Sequence, residues 1–80
     1  MDNTAAPGTS PLTALDVQLN GESRTCPSGL MVSDALTHWT LNPRLVAVEY
    51  NGEILHRQFW ETTPVKNGDR FEVVTIVGGG

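Results

Sequence analysis

Hydrophobic and polar residues alternate from residue 14 to residue 20. The hydrophobic members of this run are Leu15, Val17 and Leu19. A period of two is typical of a strand with one buried face. Asn20-Gly21 follows and predicts a hairpin turn, because both residues tolerate a positive φ. We therefore predict a hairpin whose second strand runs from about residue 23 to residue 27.

The hydrophobic period becomes helical after Gly29. Four apolar residues recur at positions i, i+3, i+4 and i+7, and these are Val32, Ala35, Leu36 and Trp39. This spacing places them in one stripe of an amphipathic helix. Asp34 lies in the first predicted turn, where a negative charge complements the helix dipole. Asn42-Pro43 is predicted to end the helix, since proline restricts the residue before it and cannot continue the hydrogen bonding.

Three further strands are predicted in the second half of the chain. Residues 45–50 are β-branched and apolar, and Asn51-Gly52 is a strong hairpin signal, so residues 53–55 form the return strand. Residues 56–65 are predicted to be irregular, with Phe59, Trp60 or both as anchors. Asn67-Gly68-Asp69 predicts another turn before a last strand over residues 70–77.

The predicted order of elements is β-β-α-β-β-β. A hairpin, one helix and strands that return beside the hairpin fit an α+β fold of the β-grasp type, in which a mixed sheet carries one helix on a single face. We expect this domain to span residues 14–77. Residues 1–13 are polar and interrupted by prolines, which predicts a disordered extension, and residues 78–80 are expected to form a flexible glycine tail.

Composition and charge exclude several classes of function. A chain of 80 residues builds one modest core, and its net charge of −4 argues against binding nucleic acid. No apolar stretch approaches the roughly 20 residues that span a bilayer, and no secretory signal is visible at the N-terminus. Cys26 is the only cysteine, so no intrachain disulfide is possible. We expect a cytoplasmic protein that neither enters a membrane nor binds nucleic acid.

Few residues offer chemistry of their own. Cys26 lies in a predicted strand and is expected to point inward, where cysteine behaves as a small hydrophobe. His38 and His56 have no spacing that suggests a metal pair, and one cysteine cannot complete a zinc site. Ser33 has no identifiable base to activate it. We therefore predict neither a metal site nor an independent catalytic site, and no bound cofactor.

The last strand has an apolar residue on each face. If Phe71 and Val73 face the helix, then Glu72, Val74 and Ile76 face away from it, because one helix covers one face of the sheet. Isolated exposed apolar residues are common on protein surfaces. Val74 and Ile76 lie just before the terminal glycines, however, and we favour the interpretation that they bind a partner protein.

Gly78, Gly79 and Gly80 follow the last strand directly. A glycine run is thin enough to enter a narrow active site on another protein and present its terminal carboxylate there. The alternative is a frayed end without a role. No helix follows the run, so it is not a phosphate-binding loop.

The sequence resembles the ThiS family of ubiquitin-like sulfur carriers. The segments that carry the resemblance cover nearly all of the chain from about Leu15 onward: LNGESRTCPSGLMVSDAL, VAVEYNGEILHRQFW and VKNGDRFEVVTIVGGG. The N-G-E-I turn, the arginine-plus-tryptophan segment, the N-G-D turn and the V-G-G-G end occur together. Two positions depart from the family pattern: Met31 replaces the usual helix-capping Thr or Ser, for which Ser28 or Ser33 could compensate, and His56 replaces a common proline.

The resemblance implies a sulfur-transfer cycle in thiamine biosynthesis. A ThiF-type adenylating enzyme, related to ubiquitin-activating enzymes, would use ATP to activate the carboxyl group of Gly80. Sulfur from cysteine, delivered by a donor such as a cysteine desulfurase, would then form a thiocarboxylate. A ThiG-type thiazole synthase would take this sulfur for the thiazole ring, so the chain would be a substrate of its partners and not an enzyme.

Two other functions stay open at the level of the sequence. The small subunit of molybdopterin synthase shares the fold and the Gly-Gly end, although the N-G-E-I and V-G-G-G segments favour ThiS. A ubiquitin-like modifier or an interaction domain would instead be conjugated to lysines or simply bound. Fold alone does not separate these alternatives.

Overall fold

A computed structural model describes residues 14–76 and shows five strands and one helix. The strands are β1 (Ala14–Leu19), β2 (Glu22–Pro27), β3 (Val46–Tyr50), β4 (Glu53–Ile54) and β5 (Arg70–Thr75), and the helix is α1 (Val32–His38). Short 3-10 helices span Pro43–Leu45 and Arg57–Phe59. The predicted order is confirmed. The predicted N-terminal extension and glycine tail lie outside the described residues, and both stay predictions.

The strands form one mixed sheet in the order β2-β1-β5-β3-β4. β1 and β5 are parallel neighbours, whereas every other neighbouring pair is antiparallel. The last strand therefore occupies the centre of the sheet. Together with the single helix, this arrangement is the predicted α+β, β-grasp fold.

Both predicted Asn-Gly hairpin turns are present. Asn20 and Gly21 have φ values of 53° and 82°, and Asn51 and Gly52 have φ values of 53° and 91°. Positive φ at both central residues defines the turn whose twist matches that of the flanking strands. The turns set the registers of the two hairpins.

The core lies between α1 and one face of the sheet. The helix contributes Val32, Ala35 and Leu36, each fully buried. The sheet contributes the inward residues Val17, Leu19, Cys26, Val46, Val48, Phe71 and Val73. Phe71 is at the centre, with the rings of Trp39 and Tyr50 each 5.2 Å from its own. In the irregular segment Trp60 is the aromatic anchor, since Phe59 is exposed.

The helix ends earlier than the sequence predicted. It stops at His38 and not at Asn42-Pro43, because Thr40 takes a left-handed conformation with φ of 64°. The N–H of Leu41 then donates to the carbonyl of Leu36 and that of Thr40 to Thr37, which is the Schellman pattern of helix termination. Asn42 instead accepts a hydrogen bond from the N–H of Arg44 and begins a 3-10 helix.

The start of α1 is capped without a Thr or Ser at Met31. The N–H of Met31 donates to the carboxylate of Asp34 at 3.0 Å. The next two N–H groups donate to backbone carbonyls of the irregular segment, Val32 to Thr63 and Ser33 to Trp60. The irregular segment therefore satisfies helical donors that would otherwise need a side-chain cap.

Candidate functional site

The candidate site is the end of β5 together with the sheet face that α1 leaves open. Phe71 and Val73 are 1% and 7% exposed, whereas Val74 and Ile76 are 60% and 52% exposed. This confirms the prediction that Phe71 and Val73 face the helix while Val74 and Ile76 face away from it. The terminal residues that carry the expected chemistry, Gly78, Gly79 and Gly80, lie outside the described residues.

Neighbouring strands extend this apolar surface. Ala47 of β3 pairs with Val74, and Ile54 of β4 is 69% exposed. Ala47, Ile54 and Val74 line a shallow depression of about 150 Å³. We call Ala47, Ile54, Val74 and Ile76 the open-face patch. Ile54 was not predicted as a site residue, although it forms the second pair after the Asn51-Gly52 turn, opposite Glu49 on the outer face.

The open-face patch has a negative border. Glu49 and Glu72 are directly opposite each other on β3 and β5, and both line the depression. Two copies of such a surface would bring these carboxylates together, which disfavours self-association. The surface therefore combines an apolar centre with two carboxylates at its border.

The side chain of Asn20 holds β5 in place near its end. Backbone pairing between β1 and β5 reaches only as far as Leu19 and Phe71. Beyond it, the Asn20 amide donates to the carbonyl of Val73 at 3.1 Å and accepts from the N–H of Val73 at 2.7 Å. The amide thus substitutes for one further residue of β1. From the sequence Asn20 was predicted only as a turn residue, because these bonds to Val73 join residues far apart in the chain.

β5 is also held from the other side. The N–H of Ile76 donates to the carbonyl of Leu45 at 2.6 Å. The central strand and the residue that follows it are therefore held by hydrogen bonds as far as Ile76. The position from which the chain continues is therefore fixed beside the open-face patch.

A buried carboxylate fixes the start of β5. Asp69 is 6% exposed and accepts hydrogen bonds from the Tyr50 hydroxyl, the Lys66 N–H at 2.7 Å and the Asn51 side-chain amide at 3.1 Å. Burial, followed by the hydrogen bond to Asp69 and its charge, raises the pKa of Tyr50. Since protein donors occupy both oxygens of Asp69, we assign this carboxylate to the structure and not to catalysis.

Cys26 has no features of a reactive thiol. Its side chain is 2% exposed, as the prediction of an inward position requires. Burial, and secondarily the charge of Asp69, raises the pKa of the thiol. The nucleophilic thiolate is therefore disfavoured at neutral pH.

The part of the chain that the structure describes contains no group of three or more His, Cys, Asp or Glu side chains arranged to hold a metal ion. Within the same residues, no helix is long and apolar enough to cross a membrane.

Comparison with known proteins gives a consistent result over most of the chain. The family model that matches is that of the ThiS family, over residues 17–80. An uncharacterized protein, ycf40, of Trieres chinensis is 35% identical over 68 residues, which cover 85% of this chain and 93% of that protein. A thiazole synthase of Paramagnetospirillum magneticum is 36% identical over 62 residues, which cover 78% of this chain but only 19% of that enzyme.

A solved structure confirms the fold. The crystal structure of a thiamine biosynthesis protein (ThiS) from Geobacter metallireducens superposes with a TM-score of 0.72 at 33% sequence identity, covering 82% of this chain and all of that one. The family match includes β5 and the glycines that follow it. This chain therefore belongs to the ThiS family of sulfur carriers.

Proposed function

We propose that this protein carries sulfur as a thiocarboxylate on Gly80 for synthesis of the thiazole ring of thiamine. The observation that carries the proposal is the family match over residues 17–80, which includes the glycine run, together with the likeness to a thiamine biosynthesis protein. The described residues add a rigid strand that leads to the glycines, and an apolar patch beside it.

The terminal carboxyl group must be activated before it accepts sulfur. A carboxylate is a poor electrophile because its oxygen is a poor leaving group. In the proposed first step, a carboxylate oxygen of Gly80 attacks the α-phosphorus of ATP on an adenylating enzyme of the ThiF type, and pyrophosphate leaves. A sulfur nucleophile supplied from cysteine, for example by a cysteine desulfurase, then displaces AMP. The chain has the role of a protein substrate in both steps.

The open-face patch is the proposed contact with the adenylating enzyme. Val74 and Ile76 are exposed and lie within four residues of Gly78, so a partner that binds them would also receive the tail. Glycines lack a Cβ and can follow a channel that larger residues would block. Glu49 and Glu72 would meet basic residues of the partner.

Thiazole synthase is the proposed sulfur acceptor. In Paramagnetospirillum magneticum a stretch similar to this chain occurs within a thiazole synthase several times its length. Sequences joined in one polypeptide are held at a high effective concentration, which favours a direct encounter of the two parts. We propose that the separate chain meets the same kind of enzyme by binding.

A loading and discharge experiment tests the proposal. The chain is incubated with a ThiF-type enzyme, ATP and a sulfur source, and its intact mass should rise by about 16 Da as sulfur replaces oxygen. Addition of a thiazole synthase and its other substrates should return the mass to its starting value as thiazole forms. If molybdopterin synthase's large subunit discharges the loaded chain and thiazole synthase does not, the molybdenum-cofactor alternative replaces this function.

A further inference from the structure

A second surface lies on the helix side of the molecule. It is a groove of about 360 Å³ between α1 and the two 3-10 helices. Its lining includes Ser33, Thr37, Arg44, Arg57, Trp60 and Glu61. Two of the chain's five basic residues thus lie in one groove of a protein whose net charge is −4. The proposed sulfur chemistry uses none of these residues.

The guanidinium group of Arg57 is held in place at this groove. It lies over the ring of Trp60, 5.5 Å from the ring centroid, and one of its N–H groups donates to the carbonyl of Arg44 at 3.4 Å. Trp60 is itself fixed, because it is buried and its indole N–H donates to the carbonyl of Leu55 at 2.9 Å. A guanidinium on a rigid support loses little conformational entropy when it binds an anion.

The charges of the two arginines are not neutralised within the described part of the chain. Arg24 of β2 has an ion-pair partner in Glu22 at 3.7 Å. Neither Arg44 nor Arg57 has a carboxylate of residues 14–76 at ion-pair distance, and Glu61 lines the groove without forming such a pair. Both arginine residues are exposed, and a guanidinium group carries N–H donors in the fork geometry that matches a carboxylate.

We propose that the Arg44–Arg57 groove docks an acidic segment of a partner protein. A carboxylate-bearing chain is favoured over a small free anion for two reasons. The groove is an open channel, so an extended segment can lie along it and offer separate carboxylates to Arg44 and Arg57. Glu61 and the net charge of −4 weaken the binding of every anion, so a ligand that pairs with both arginines is favoured over a small anion that pairs with one.

The groove lies against α1, whereas Val74 and Ile76 of the open-face patch are on the sheet face that α1 does not cover. The two surfaces approach each other at one edge, where Arg57 and Trp60 line a further depression together with Ala47 and Ile54. Val74 and Ile76 line neither the groove nor that depression, so a groove partner leaves them accessible. The failure of this proposal leaves the sulfur-carrier function untouched.

The test uses the full chain, labelled with ¹⁵N, and a hexaglutamate peptide as the probe. We expect saturable shifts of the Arg57 side-chain Nε–H and of the backbone amides of Arg44 and Thr37. Arg57→Ala should weaken binding about tenfold, the loss expected for a charge-assisted hydrogen bond. Increasing salt should weaken binding as well.

Control variants keep the result independent of folding. Arg57→Ala removes packing from Trp60, so Arg44→Ala is the second variant: both hydrogen bonds of Arg44 named above use its backbone and survive the change. Arg24→Ala, which removes an arginine elsewhere, should alter affinity by less than about twofold. Hexaglutamine should not bind.

The remaining outcomes contradict the proposal. The groove does not bind carboxylates if hexaglutamate causes no chemical-shift changes, or if the changes cluster outside the groove. The same conclusion follows if the changes persist in both Arg44→Ala and Arg57→Ala. If inorganic phosphate produces the same shifts with equal affinity, the groove is a small-anion site and not a docking surface.

Discussion

Asp69 is expected to be one of the most sensitive polar positions in the fold. Its carboxylate joins three donors from three places in the chain: Tyr50, Asn51 and Lys66. The Asn51 side chain also accepts from the N–H of Arg70 at 2.8 Å, so the network connects the second Asn-Gly hairpin to the start of β5. Asp69→Ala removes the common acceptor of these three donors.

The magnitude follows from the number of hydrogen bonds to the carboxylate that are lost. The Tyr50 hydroxyl is also within 3.1 Å of the Pro64 carbonyl, so it keeps an acceptor. The Lys66 N–H and the Asn51 amide lose theirs, and because a hydrogen bond to a charged group contributes roughly 1.5 kcal/mol net, the free energy of unfolding should fall by about 3 kcal/mol. For a domain of this size the melting temperature should fall by roughly 12–24 °C.

Urea unfolding followed by tryptophan fluorescence measures this loss. Glu53→Ala is the matched control, because it removes the same charge from an exposed position on β4 and should change stability by less than about 0.5 kcal/mol. Tyr50→Phe removes one donor of the network, and should cost less than Asp69→Ala. If the free energies of unfolding of Asp69→Ala and Glu53→Ala differ by less than about 0.5 kcal/mol, the network does not stabilise the fold and the prediction is wrong.

Three further predictions concern the patch, the cysteine and the tyrosine. Val74→Asp should weaken binding to the adenylating enzyme in a titration while its circular dichroism stays native, whereas Phe71→Asp should unfold the domain by burying an unpaired charge; unchanged affinity of Val74→Asp would remove the patch from the interface. Cys26→Val should still load sulfur by intact mass, and a folded variant that fails to load would make the thiol a participant. Because the chain has a single tyrosine, ultraviolet absorbance titrates Tyr50 alone, and its phenolate should form at higher pH in the folded chain than in urea. Equal pH midpoints of Tyr50 ionisation in the folded chain and in urea would contradict the hydrogen bond to Asp69. Because the pKa of Tyr50 is raised in the folded state, its contribution to stability is fully present below about pH 10 and is lost as pH rises further.

The fold could be predicted from the sequence because its signals are local. The alternation in β1, the helical stripe and the two Asn-Gly turns each depend on a few neighbouring residues. The end of α1 was predicted wrongly, since Thr40 adopts a left-handed conformation that usually belongs to glycine. Pro43 cannot continue a helix, but α1 ends at His38, five residues before it.

The interactions that position the site could not be predicted in the same way. The bond between Asn20 and Val73 joins residues 53 positions apart, and that between Tyr50 and Asp69 joins residues 19 apart. The first depends on the parallel pairing of β1 with β5 and the second on the antiparallel pairing of β3 with β5, and no local pattern specifies either pairing. The exposure of Val74 and Ile76 was predictable, because parity within one strand determines it once a single helix covers the other face.

Deletion of Gly80 tests the central claim most directly. The full chain and the Gly80-deleted chain are each incubated with the adenylating enzyme, ATP and a sulfur source, and their intact masses are compared. The full chain should gain about 16 Da, while the deleted chain should gain nothing yet unfold at the same urea concentration, since residue 80 lies beyond the last strand. A Gly80-deleted chain that gains the same mass and supports thiazole formation at the normal rate would show that sulfur is carried at another position.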